Sequence, residues 1–124
     1  MLILSSYIDK HELKPLQKYF SIDDLSRGAQ KVLRGLGQKI TPLKEKGEYH
    51  FFKVRIGNGV KGRMIVFVVS KSRKVVPLLI RLKKDKKMGM NMSANNPHVV
   101  SQIEKNLEHV IEDIEQGKFK EFGL

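Results

Sequence analysis

The sequence predicts an α+β fold: a small antiparallel sheet of three or four strands, with a helix hairpin before it and a single helix after it. Three observations carry that expectation. Apolar residues recur at helical spacing near both ends of the chain, over 22–36 and 99–114. At Tyr49 the period changes to two, and strand-like segments continue to Lys83. The third observation is charge. Residues 44–87 hold 14 Lys and Arg against 3 Asp and Glu, a net of +11, which equals the net charge of all 124 residues. The excess cations therefore sit on strands rather than on a tail, and a folded surface that faces polyanions is expected.

A chain of 124 residues supports one hydrophobic core, so a single domain over 1–124 is expected. The apolar fraction of 40% and charged fraction of 30% suit a globular domain. The longest apolar run, Met64–Val69, is far too short to span a bilayer. Met1-Leu2-Ile3-Leu4 lacks the charged lead and long apolar stretch of a signal peptide. The absence of cysteine excludes disulfides and thiolate metal sites and fits a cytoplasmic location. A pI near 10 favours nucleic acid or ribosomes over membranes as partners.

The first helix is expected over 10–19, with Leu13, Leu16 and Phe20 on one side and Pro15 able to shift its start. Ser21 and Asp24 then form a weak capping box, followed by Ile22, Leu25, Ala29, Val32, Leu33 and Leu36 at helical spacing until Gly35 and Gly37 end the pattern. Residues 38–47 read as a polar connection. In Tyr49–Ile56, Phe52, Val54 and Ile56 share one face, and Phe51, Lys53 and Arg55 the other. Gly57-Asn58-Gly59 and Gly62 mark a loop. Arg63–Ser70 reads as a central strand covered on both faces, and Ser70–Lys74 as a basic turn. Lys74–Lys83 is a third strand, in which Pro77 argues for an edge position or a bulge. Met1–Leu4 is read as an optional fourth strand at an edge. Residues 84–95 are irregular. Asn96 and Pro97 then cap a helix with an apolar stripe of Val99, Val100, Ile103, Leu107, Val110, Ile111 and Ile114, an acidic wet side, and a stop at Gly117.

Candidate functional residues come from convergence of cations on neighbouring strands. Lys53 and Arg55 point the same way by alternation, Lys61 and Arg63 open the next strand, and Arg81, Lys83 and Lys84 close the third. With strands about 4.8 Å apart, several of these reach the same one or two phosphates. Lys and Arg at strand ends also serve solubility and discourage edge pairing. Gly57-Asn58-Gly59 fits a hairpin turn better than a phosphate cradle. His11, His50, His98 and His109 show no metal spacing, and no carboxylate pair stands out. Phe51 either stacks on a base or packs under the last helix.

The order of helix hairpin, Phe52-Lys53-Val54-Arg55-Ile56, glycine-rich loop, Gly62-Arg63-Met64-Ile65-Val66-Phe67 and a Val-rich strand ending in Lys and Arg resembles the RelE/HigB/ParE superfamily of bacterial toxins, over roughly residues 10–92. The resemblance implies a small, metal-free, cofactor-free endoribonuclease that cuts messenger RNA on the ribosome, the ribose 2′-hydroxyl attacking the adjacent phosphate to leave a cyclic phosphate. It implies that Lys53 and Arg55 are the basic pair of the first strand, that Arg63 is the phosphate-binding arginine of the second, and that Lys83 or Lys84 is the basic residue after the last. Crowded lysines suit proton transfer, and arginine suits charge stabilisation. The expected catalytic set is Lys53, Arg55, Arg63 and Lys84 (or Lys83), with Lys61, Arg81, Lys83, Lys86 and Lys87 binding RNA.

In RelE itself a catalytic Tyr follows the last strand. Here that stretch reads Met88-Gly89-Met90-Asn91-Met92, with no Tyr and no acid. His98 is the nearest acid–base candidate, its pKa expected to be lowered as the second residue of a helix; it is also an ordinary position for an exposed histidine. The implied partners are messenger RNA, the ribosome and an antitoxin that is acidic where it covers the basic face, with no membrane and no metal. A ParE-like inhibitor of DNA gyrase and a plain RNA- or ribosome-binding module are the alternatives.

Overall fold

In the computed structural model, which describes residues 1–41, 49–85, 92–93 and 95–124, the chain opens with a strand and passes directly into a helix. Strand β1 (Leu2–Ser5) ends at a buried serine whose Oγ accepts a hydrogen bond from Ile8 N at 3.2 Å, capping helix α1 (Ser6–Ile8). That helix runs on without a break as a π turn (Asp9–Leu13) and a tight 3₁₀ turn (Lys14–Leu16) that contains Pro15. The first helical stretch thus begins four residues before the expected start at residue 10. Periodicity does not reveal that the Ser5 hydroxyl starts it.

Helix α2 (Ile22–Leu33) begins at the expected box: Asp24 N donates to Ser21 Oγ, and Ser21 N donates to Asp24 Oδ2 at 2.8 Å. Next come β2 (Gln38–Ile40), β3 (Tyr49–Ile56), β4 (Gly62–Val69) and β5 (Lys74–Leu82). Helix α3 (Pro97–Glu115) is capped by Asn96, whose Oδ1 accepts from His98 N at 2.9 Å, and β6 (Phe119–Phe122) ends the chain.

The sheet has six strands among the described residues, in the order β2-β3-β4-β5-β1-β6. All neighbours are antiparallel except β1 and β5. The α+β class and the β3-β4-β5 meander agree with expectation. The sheet is larger and mixed, because β1 lies inside it, parallel to β5, and β6 covers the outer side of β1. Leu2, Ile3 and Leu4 are accordingly buried. Pro77 is in an interior strand, so the edge alternative fails. It sits at a bulge, where the register passes from Ile65 opposite Leu79 to Val66 opposite Pro77.

Alternation sends α2 and α3 to opposite faces. The first helical stretch packs with α3 and β5 while α2 packs on β3 and β4, so the expected N-terminal helix hairpin does not lie together on one face. A Cβ on Gly28 would stand 2.8 Å from Ile56 Cγ2, which puts α2 on the face of Val54 and Ile56. The other face is apolar at one end, where Tyr49, Phe51, Phe67 and Val69 meet Leu107, Ile111 and Ile114 of α3 across a groove. Phe51 is buried there and is not on the open basic surface. Phe20 plugs the β3–β4 loop so closely that a Cβ on Gly62 would lie 2.3 Å from its Cζ.

Candidate nucleic-acid interface

Register builds the site. Arg55 on β3 lies opposite Arg63 on β4, and Arg63 lies opposite Arg81 on β5. Three arginines therefore stand in one cross-strand row, where like charges repel. Lys53, two residues before Arg55, points to the same face.

Arg81 is neutralised locally. Its Nη1 pairs with Glu12 Oε1 and donates to Ile80 O at 2.9 Å, and its Nε lies 3.8 Å from Asp85 Oδ2. Glu12 is buried in the π turn and also accepts from Ile80 N at 2.7 Å. Asn106 of α3 donates to Leu78 O at 2.6 Å and accepts from Gln102 at 2.8 Å. These side chains act in place of a strand. β1 meets β5 in register at Leu2 and Val75, so Glu12 and Asn106 satisfy β5 groups further along. Burial raises the Glu12 carboxyl pKa against the opposing pull of Arg81, Ile80 N–H and Asn106.

Arg63 has no such partner. It is 7% exposed, its Nη1 donates weakly to Gly62 O at 3.4 Å, and no carboxylate among the described residues pairs with it. Burial, then Arg55, lowers its pKa from the ordinary arginine value. Lys53 is likewise lowered, by burial first and Arg63 second. These residues line a cleft of about 290 Å³ together with Lys31, Leu36, Gln38, Val54 and Arg55. The described lining holds four cations and no carboxylate.

Of the expected residues, the cleft brings together Lys53, Arg55 and Arg63. Arg81 continues the row but is held by Glu12. Lys61 and Lys83 meet at the far end of the β4–β5 hairpin, where Lys83 N donates to Lys61 O at 3.0 Å, and Lys84 is exposed in the following turn. None of the three lines the cleft. His98 is exposed at the start of α3, away from the cleft lining. Lys86, Lys87 and Met88 to Asn91 lie outside the described residues. Lys31, Leu36 and Gln38 carried no signal for this site in the sequence: the first two read as helix positions and the third as a connection. Among the described residues no cluster of three His, Cys, Asp or Glu could hold a metal ion, and no helix is long and apolar enough to cross a membrane.

Comparison with protein families, curated proteins and solved structures finds no match for this chain. The resemblance to the RelE/HigB/ParE toxins rests on its residue pattern alone.

Proposed function

We propose that this protein binds single-stranded RNA through the cleft and cleaves it as the toxin of a toxin–antitoxin pair, on messenger RNA held by the ribosome. The observation that carries this reading is Arg63, a nearly buried cation between two other arginines, with no anionic partner among the described residues. A fold gains nothing from that arrangement, whereas a phosphate completes it. Arg63 and Arg55 hold the phosphate and offset the charge of the phosphorane. The lowered pKa of Lys53 gives it a larger neutral fraction than an exposed lysine, so its amine takes the 2′-hydroxyl proton. The 2′-oxygen attacks phosphorus, the bond to the 5′-oxygen breaks, and a lysine ammonium of the cleft, Lys31 or the newly charged Lys53, protonates the leaving oxygen. The products are a 2′,3′-cyclic phosphate and a 5′-hydroxyl. An acidic antitoxin segment covering the same cations would block the site.

A second reading, a non-catalytic RNA-binding module, is favoured by one feature: the described cleft residues include no Tyr, His or carboxylate. The discriminating experiment incubates the purified protein and its Arg63→Ala variant with a labelled messenger RNA, with and without ribosomes. New cyclic-phosphate ends from the wild type, abolished in the variant, support the toxin reading. Salt-sensitive binding with intact RNA supports the module. RNA that is neither bound nor cut overturns both.

A further inference from the structure

We infer that the sheet face shared by α3 and the basic row is an interface with a second copy of this chain, the α3 glutamates of each copy lying on the β3 and β4 cations of the other. The inference stands on the face itself and does not need RNA as a ligand.

Alternation puts Tyr49, Phe51, Lys53 and Arg55 on one face of β3, and the register sets Val69, Phe67 and Arg63 opposite Tyr49, Phe51 and Arg55. The face therefore changes from apolar to basic along its strands. Helix α3 borders the apolar end across the groove, through Leu107, Ile111 and Ile114. The floor residues Phe51 and Phe67 are buried, but the two lips of the groove are open: Tyr49 is 47% exposed and Ile111 46%. Glu108 and Glu115 stand three residues before and four after Ile111, so they flank it on the helix surface, and Glu104 continues the stripe one turn earlier. All three are exposed, and no ion pair holds them among the described residues.

The surface is thus three bands side by side: acidic, apolar and basic. A two-fold axis through the apolar band lays each acidic band on the other copy's basic band and closes Tyr49 and Ile111 between them. The surface is its own complement, which is the condition for an isologous contact. The glutamate stripe alone does not carry this. The independent sign is Arg63, 7% exposed and without a carboxylate among the described residues, in the basic band of the same face. A second copy brings carboxylates to that band. Net charge narrows the choice further. Each chain carries +11, so two copies repel at long range, and only a contact that joins opposite signs offsets the repulsion. The pairing covers Arg55 and Arg63, so the dimer and a bound phosphate exclude each other.

Sedimentation analysis of the purified full chain tests this. The wild type, 14.3 kDa as a monomer, is expected to double its mass as concentration rises. Concentrations up to about 100 μM cover a weak dimer. In an isologous interface each substitution acts twice, so Glu108→Lys/Glu115→Lys, Arg55→Glu and Ile111→Asp should each weaken the dimer at least about tenfold. An equimolar mixture of the Glu108→Lys/Glu115→Lys chain with the Arg55→Glu chain should recover a dimer that neither forms alone, which also shows that both are folded. A wild type that stays monomeric overturns the inference. So does a dimer that all three variants leave unchanged, because its interface then lies elsewhere. Charge-reversed chains that stay apart when mixed overturn the pairing of acidic band with basic band.

Discussion

Arg63→Met separates a binding residue from a structural one. If Arg63 is held in place for a phosphate, the fold bears a cost that an apolar side chain removes. Methionine keeps much of the buried stem, while the charge between Arg55 and Arg81 disappears. Replacing buried charges by apolar residues stabilises by about 1–4 kcal/mol where desolvation dominates. The guanidinium borders an open cleft, so its desolvation is partial and the low end, about 1 kcal/mol, applies. With an unfolding entropy of about 2.1 cal/mol/K per residue, a chain of 124 residues should melt about 4 °C higher. The same change removes a charged phosphate contact of about 1.5–3 kcal/mol, roughly a ten- to hundredfold loss of single-stranded RNA affinity. The salt slope should become shallower by about 0.7, the share of one phosphate. Thermal unfolding and anisotropy titration at two salt concentrations read both effects. A variant that melts lower and binds RNA as well as the wild type would show that Arg63 supports the fold, and the proposed site would be refuted.

Glu12, Lys53 and Gly62 each give a further expected outcome. Glu12→Ala strands Ile80 N–H and Arg81 and should cost about 3 kcal/mol by denaturant unfolding, whereas Glu12→Gln keeps an acceptor and should cost about 1 kcal/mol or less. Because the folded Glu12 pKa is raised, its contribution is fully present below the ordinary carboxylate value and is lost as pH rises through the raised one. The wild type should lose stability relative to Glu12→Gln across that window, and a gap constant with pH refutes this. The Lys53 pKa is lowered, so cleavage should rise with pH and level off below the ordinary lysine range, and a pH–rate profile in which Lys53→Met retains that limb would remove Lys53 as base. Gly62→Ala drives a methyl into Phe20 and should destabilise by about 1–3 kcal/mol in thermal melts, with relief in Gly62→Ala/Phe20→Leu; no change in either refutes the contact.

The sequence by itself determined what is local. The Ser21 and Asn96 caps, the α3 stripe, the alternation in β3 and the glycines of its hairpin follow from backbone sterics and side-chain period, which neighbouring residues express without help. Alternation also aligned Lys53 with Arg55, and a meander was enough to bring Arg63 beside them. Tertiary structure alone decided the rest. β1 has only four residues, three of them apolar, which fit an edge or an interior strand equally well. Its parallel pairing depends on β5, about 70 residues away, and on β6, whose Phe-Lys-Glu-Phe carries little strand signal. Arg81 and Arg63 look alike as residues in strands. Only the approach of Glu12 from the π turn separates a neutralised arginine from one that no described carboxylate pairs. Leu36 has the spacing of a core residue, but the left-handed cap at Gly35 turns the chain before the helix can bury it. Charge and period are properties of neighbours in sequence. Which cation keeps its field for a ligand depends on partners that the fold brings from far along the chain.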